Sequence, residues 1–332
     1  MKHSKTNTAK SKSRIGAALG ILVASSTPSL AHADAKSMEY SFVDARNYWA
    51  LIRGMHDIDQ TRATVKTSFG VTLTQGVDGD GRYHCGPTSA ANLLGFIAEH
   101  GYPEAASNAD KWTPPSPGAS SVERFEYRFT YNSVSHLIND LGREMGTDWP
   151  PGIVDGDGAT GTSLNSIQDA LESRLPEFNL GIISDRDCDA DDEVNSFSIS
   201  MNIAMGNLMI LNIGRYSPDA DGKLTRTSGH IVVPVGALKA GSYDQIYIHD
   251  PAIQHCPSGY DCNSTTQSKY QADRWELRKV RHAFAEEGCS RSVYEVAHLT
   301  SSTTITLIER LLVVSPPRPF TGSEPIDLSF PL

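Results

Sequence analysis

Residues 230–250 read HIVVPVGALKAGSYDQIYIHD, two apolar runs separated by a short connection that contains glycine. Val, Ile and Tyr fill both runs, which is typical of strands, and the connection has the length of a hairpin loop. The stretch therefore predicts two antiparallel strands that pair with each other. If the hairpin is symmetric about Ala240, His230 lies opposite Asp250, with both side chains on one face.

The segments around this hairpin differ in type along the chain. Strand-like runs occur at 208–215 (LMILNIGR) and 304–314 (TITLIERLLVV). Earlier in the chain, apolar residues three and four apart predict helices over 87–98 and 163–175, and residues 34–60 also have a loose helical spacing. Helices therefore dominate the first part and strands the second. This order predicts an α+β fold with two lobes, a helical N-terminal lobe and an antiparallel-sheet C-terminal lobe.

Composition bounds the class of protein. The chain has 332 residues, is 39% hydrophobic and carries a formal net charge of −10. That is enough apolar material for a packed core, and the length suits one large domain or two ordinary ones. A nucleic-acid binder needs a basic surface to neutralise phosphates, so the acidic balance predicts no nucleic-acid partner.

The N-terminal residues have the pattern of a secretory signal peptide. Five Lys and Arg residues precede an apolar run of ten at 15–24, and an A-x-A pattern follows at 31–33. Ten apolar residues are too few for a membrane span, which takes roughly 20. We predict a cleavable signal peptide over 1–33, a domain over 34–318 and a tail over 319–332. The mature protein is expected to be secreted or periplasmic, without a membrane span.

The chain has five cysteines, and the odd count leaves one without an intrachain partner. The predicted compartment permits disulfides. If Cys85 is the free thiol, the other four can pair in three ways. Cys256 and Cys262 are close enough in sequence for a small loop, which would leave Cys188 with Cys289.

Cys85 begins a helical segment, HCGPTSAANLLGFI at 84–97. A helix N-terminus offers free N–H groups and a partial positive charge, and both favour a thiolate. A helix end is worth roughly 0.3–1 kcal/mol and one pKa unit is about 1.36 kcal/mol, so the helix alone shifts the thiol pKa by less than one unit. A strongly activated Cys85 therefore needs a second cation, most simply a histidine.

His230 is the candidate for that cation. Its neighbours are apolar, so its strand is expected to be buried, and a buried imidazole needs a polar partner. Asp250, at the end of the next strand, can be that partner. Gln75 lies ten residues before Cys85, and its amide could join the Cys85 backbone N–H as an oxyanion donor.

Three motifs together resemble the C39-like peptidase family: CGPTSAANLL around Cys85, GHIVVPVGA around His230 and HDP at Asp250. That family is similar to papain, and the resemblance covers roughly residues 70–252. It implies a papain-like two-lobed fold and a cysteine peptidase that needs no cofactor and acts on peptide or amide bonds through an acyl-enzyme. By this resemblance Cys85 is the nucleophile, His230 the general acid and base, Asp250 the orienting acid and Gln75 the oxyanion donor.

Two departures from the family pattern keep alternatives open. An acidic, Gly-rich insert separates Gln75 from Cys85, and Pro234 interrupts the His230 strand, which predicts a sheet edge or a bulge. The chain could therefore be a secreted binding protein with a degenerate site. It could also be an acyl transferase that uses the same three residues. The Asp-Gly-rich loops do not match a calcium-loop pattern, so no metal is expected. The oligomeric state cannot be inferred from the sequence.

Overall fold

The computed structural model describes the central part of the chain in eight stretches: 38–62, 64–81, 83–112, 119–147, 161–184, 193–252, 272–285 and 290–318. All of them belong to the compact unit Asp34–Leu332. The predicted signal peptide and C-terminal tail lie outside the described residues, so both stay predictions.

Most of the regular structure is β. The strands of the described residues are β1 (Met38–Asp44), β2 (Asn47–Ile52), β3 (Val65–Lys66), β4 (Thr72–Thr74), β5 (Asn179–Ser184), β6 (Leu208–Pro218), β7 (Leu224–Ala240), β8 (Tyr243–His249), β9 (Asp273–Ala283), β10 (Ser290–Val296) and β11 (Ile305–Ser315). The α-helices of the same residues are α1 (Cys85–Glu99), α2 (Ser121–Glu144), α3 (Leu164–Arg174) and α4 (Ser196–Ala204). None of these helices is both long enough and apolar enough to cross a membrane.

Six of the strands close into an antiparallel barrel. Around the ring, β7 pairs with β6, β6 with β11, β11 with β10, β10 with β9, β9 with β8, and β8 pairs again with β7. β1 and β2 extend the sheet from β7, and β5 pairs with β11. β3 and β4 form a separate small hairpin. Closure leaves the six barrel strands with few unpaired edges.

The predicted papain-like two-lobed α+β fold is wrong. Residues 38–52 form strands instead of the expected helix, and β2 pairs with the C-terminal half of β7, residues 47–51 against 236–240. The helices do not form a separate N-terminal lobe, because α1 and α4 both pack against β7. The first and last parts of the chain therefore share one sheet. Local periodicity cannot reveal this sharing, since the pairing joins distant segments.

The strands at 38–52 have a signal that spacing alone did not reveal. β1 and β2 are rich in aromatic residues, which favour strands. The rings of Phe42 and Tyr48 stack at 5.8 Å between centroids, and Phe197 of α4 packs edge-on against Tyr48 at 5.4 Å. The helices predicted over 87–98 and 163–175 are confirmed as α1 and α3. Ser163 caps α3 by accepting a hydrogen bond from the Ser166 N–H at 3.0 Å.

Helix α1 lies in the middle of the core. Every residue from 86 to 97 is buried, so the helix is covered all round and not only along one apolar stripe. Leu93, Leu94 and Phe96 are completely buried, and each stabilises the fold by about 1.5–3 kcal/mol. The helix contacts β7, β6, α2 and α3. Its N-terminus is therefore held at a fixed place beside the barrel.

Candidate active site

Cys85 is the first residue of α1, and its side chain is partly exposed. His84 at the N-cap position makes no side-chain cap hydrogen bond. Backbone hydrogen bonds from Gly86 and Ile231 reach the sulfur. The thiol thus lies where a helix N-terminus meets β7, with N–H groups directed at it, an arrangement that favours negative charge.

His230 and Asp250 form a direct hydrogen bond. His230 lies on β7 and Asp250 directly follows β8, and each is 8% exposed. The His230 Nε2 donates to Asp250 Oδ1 at 2.5 Å. The same oxygen accepts the Ala252 N–H at 2.9 Å, so Asp250 also closes the turn after β8. With Nε2 bonded to the carboxylate, Nδ1 is the ring nitrogen left for the sulfur.

The register of the β7–β8 hairpin differs from the predicted one. Ala240 faces Tyr243, Gly241 with a φ of 59° begins the turn, and Val233 faces His249. The symmetry about Ala240 is therefore wrong. The register at Val233 sets His230 two positions away from Asp250 across the hairpin. An even offset keeps both side chains on the same face, and for this reason they still meet.

Pro234 lies at a bulge, one of the two outcomes that the sequence predicted. The β7–β8 register shifts between Pro234 and Gly236. On the other side of β7, pairing with β6 ends at Val232 and pairing with β2 begins at Gly236. Pro234 therefore occupies the place where β7 changes partners, and its missing N–H breaks neither ladder.

The electrostatics favour an ion pair between Cys85 and His230. Burial alone raises the pKa of the Cys85 thiol. The hydrogen bond and charge of His230 lower that pKa by more than burial raises it, so the net pKa is below the ordinary thiol value. Burial lowers the pKa of His230, whereas its bonds to Asp250 and Cys85 raise that pKa to about 10. Both shifts are in the direction that favours a thiolate beside an imidazolium.

The structure does not bring the Gln75 side chain into this cluster. Gln75 follows β4 and is exposed, and its backbone N–H donates to Asn132 Oδ1 on α2 at 2.7 Å. The structure thus joins Cys85, His230 and Asp250 and leaves the fourth predicted residue outside. The Gln75 role as oxyanion donor stays a prediction.

A buried polar segment beside Asp250 was missed from the sequence. Residues 56–60 (HDIDQ) have no helix and only an isolated bridge, yet all five are buried. Burial raises the pKa of Asp57 well above its ordinary value, and neighbouring carboxylates, including Asp250, add to that shift. The shift favours the protonated form of Asp57. The loose helical spacing over residues 34–60 did not indicate this burial.

Two polar residues of α1 were also missed. Ser89 and Asn92 are completely buried, four and seven positions after Cys85, and so lie on the same helix face. Ser89 Oγ donates to the carbonyl of Ile231 at 3.3 Å. Asn92 Oδ1 accepts the Ile58 N–H at 3.0 Å. Polar residues at this spacing inside an apolar helix were the available signal.

The other predictions about cysteines and metals have different outcomes. Cys188, Cys256, Cys262 and Cys289 lie outside the described residues, so the proposed disulfides stay predictions. Cys85 is a free thiol. Within the described ranges, no group of three or more His, Cys, Asp or Glu side chains has the arrangement of a metal site.

Comparison with known proteins does not assign this chain to a family. A scan of the chain against protein-family models found no match, and a search of curated proteins found none either. The chemistry of the site is therefore inferred from its own residues.

Proposed function

We propose that the protein is a cysteine-type hydrolase of peptide or amide bonds, with Cys85 as nucleophile, His230 as general acid and base, and Asp250 as the orienting acid. The observation that carries this proposal is the 2.5 Å hydrogen bond from His230 to Asp250 in a cluster where the same imidazole also bonds Cys85 at the start of a helix. Nucleophile, base and orienting group are then linked in one chain of contacts.

In the first half of the reaction, the Cys85 thiolate attacks the carbonyl carbon of the substrate. A C–S bond forms and the carbonyl electrons move to oxygen. The oxyanion is stabilised by backbone N–H groups at the start of α1. As the oxyanion collapses, the C–N bond breaks and protonated His230 gives its proton to the departing amine. The products are an acyl-enzyme and a free amine.

In the second half, a water molecule attacks the acyl-enzyme. His230, now neutral, accepts a proton from the water while oxygen bonds to the acyl carbon. The C–S bond then breaks, which releases a carboxylic acid and restores the thiolate beside an imidazolium. Asp250 accepts the Nε2–H throughout, which keeps the ring oriented and stabilises its charged form.

The three motifs that resemble C39-like peptidases support the same assignment of roles. The resemblance concerns short segments around Cys85, His230 and Asp250 and not the papain-like architecture, which the barrel excludes. We also propose that the protein acts outside the cytoplasm, because of the signal-peptide pattern over residues 1–33.

One observation favours a second candidate function, a secreted binding protein with a degenerate site. Gln75 is exposed and its backbone N–H is bonded to α2, and among the described residues no hydrogen bond joins its side chain to Cys85. Acyl transfer to an amine is a third outcome of the same chemistry, since an amine can replace water in the second half-reaction.

An electrophilic peptide probe tests the proposal. We expect the probe to label Cys85 at neutral pH and mass mapping of the digest to locate the adduct there. Cys85→Ala should abolish both the labelling and any hydrolysis of a mixed peptide substrate. Thr88→Val, an isosteric change of another buried α1 residue, should leave both unchanged.

Each outcome assigns a function. Hydrolysis that survives in Cys85→Ala contradicts the proposed nucleophile. A folded wild-type protein whose Cys85 alkylates only above the ordinary thiol pKa, with no hydrolysis, supports the degenerate binding protein. Ligation of an added amine in preference to hydrolysis supports the acyl transferase.

A further inference from the structure

Three hydrogen bonds connect the nucleophile helix to the turn that holds Asp250. Asn92 Oδ1 on α1 accepts the Ile58 N–H at 3.0 Å. The Gln60 N–H donates to the Pro251 carbonyl at 2.8 Å, and His249 Nδ1 donates to the His56 carbonyl at 2.9 Å. Both sequence neighbours of Asp250 are thus bonded to residues 56–60, whose central residue is bonded to Asn92.

Residues 56–60 need such an anchor. Apart from an isolated bridge they have no regular structure, so no helix or long ladder of their own fixes their place. They are nevertheless buried, and Ile58 is 2% exposed. A buried N–H without a partner is costly, so Asn92 gives the segment one defined position against α1.

The choice of an asparagine at this place is not explained by packing. Asn92 is completely buried in a helix whose buried residues are mostly apolar, and among the described residues its Nδ2 has no hydrogen-bond partner. An apolar residue would avoid that loss. The Oδ1 bond to Ile58 is therefore the contact that distinguishes asparagine from leucine here.

We propose that Asn92 is a positioning residue of the candidate active site, which holds the Asp250 turn at a fixed distance from Cys85 through residues 56–60. The inference rests on the proposed Cys–His–Asp chemistry. Asn92 touches neither the sulfur nor the substrate. It acts through Asp250, whose orientation of His230 maintains the thiolate and imidazolium pair.

The experiment follows the alkylation of Cys85 by iodoacetamide as a function of pH, with the Cys85 peptide quantified by mass spectrometry of the full-length protein. Asn92→Leu should raise the apparent thiolate pKa and slow alkylation near pH 6 by about tenfold, which corresponds to one pKa unit. Thr88→Val on the same helix serves as the matched control and should not change the profile. Asn92→Ala removes the same acceptor and replaces the leucine variant if that one does not fold.

A double-mutant cycle separates positioning from a general loss of stability. In an Asp250→Ala background, Asn92→Leu should cause no further slowing, because the residue through which Asn92 acts is already gone. A full tenfold slowing in that background overturns the inference, as does an Asn92→Leu profile equal to that of Thr88→Val. An ordinary thiol profile in the wild-type protein overturns the proposed function, and this inference with it. Either of the two results in the Asn92 variants, with the wild-type profile still shifted, overturns this inference alone, so the two failures are distinguishable.

Discussion

One buried network of charged side chains in the barrel lies around Glu309, and another lies around His230. Glu309 on β11 is 2% exposed and accepts hydrogen bonds from the Tyr216 hydroxyl at 2.5 Å and the Arg226 Nε at 2.7 Å. His230 on β7 is bonded to Asp250 at 2.5 Å. The two networks share strand β7 and similar burial, and yet their chemistry differs.

The difference lies in which groups can exchange protons. Burial lowers the pKa of Arg226, but its bond to Glu309 raises it above the already high arginine value, so the guanidinium keeps its charge at every physiological pH. The His230 network joins an imidazole to a thiol at a partly exposed helix end. The Arg226–Glu309 pair therefore connects two barrel strands, whereas the His230 network holds groups that can exchange protons.

Removing the charge of Glu309 should give the largest effect. Glu309→Gln leaves Arg226 without a counter-charge, and we expect the free energy of unfolding to fall by roughly 3 kcal/mol. That is the low end for a buried pair, because the Arg226 side chain is 26% exposed and can be partly hydrated. Urea unfolding measures the loss. The alkylation profile of Cys85 in the folded variant should not change, and a changed profile would show that the two networks are coupled.

Removing the imidazole should change reactivity more than stability. In His230→Gln the Cys85 thiol loses the group that lowers its pKa, while burial continues to raise it. The apparent pKa of alkylation should therefore rise by at least about one unit, equivalent to about 1.4 kcal/mol. Iodoacetamide rates across the pH range measure this shift. Equal rates in wild type and His230→Gln at pH 6 contradict the ion pair.

The smallest expected effect is on the pH dependence of stability. An unfolded chain has a histidine pKa of 6.5 and a thiol pKa of 9.0, whereas the folded His230 has a pKa of about 10 and the folded Cys85 thiol a lowered one. In the range below 9 where the folded residues form an ion pair and the unfolded histidine is neutral, each state holds one proton, so the pair adds no slope. Above 9 the unfolded state binds fewer protons than the folded state, and stability falls as the pH rises.

The whole decline, from below pH 9 to well above pH 10, should amount to about 1.4 kcal/mol. It is measured as the difference in unfolding free energy between wild type and Cys85→Ala/His230→Gln at each pH. Glu309→Gln should show the same decline as wild type, since this change leaves both Cys85 and His230 in place. A difference curve without a plateau contradicts the paired titration.

Some of the site could be predicted from local sequence because the relevant physics is local. The apolar spacing after Cys85 specified α1, and the apolar runs around a short glycine-containing connection specified the β7–β8 hairpin. The predicted register of the hairpin was wrong by an even number of residues, which left His230 and Asp250 on the same face. Their contact therefore did not depend on the assumed symmetry. Gln75 was predicted as a site residue from its distance along the chain to Cys85. That distance does not determine where the side chain of an exposed loop residue lies.

The sequence by itself determined the helix that begins at Cys85, the hairpin that brings His230 near Asp250, and an interruption of the strand at Pro234. Each follows from propensity, periodicity or a missing N–H within a few residues. Only the tertiary structure decided that six strands close into a barrel, that residues 38–52 join its sheet, and that Asn92 reaches Ile58. Those contacts join distant segments, and their free energy appears only when the chain has brought them together.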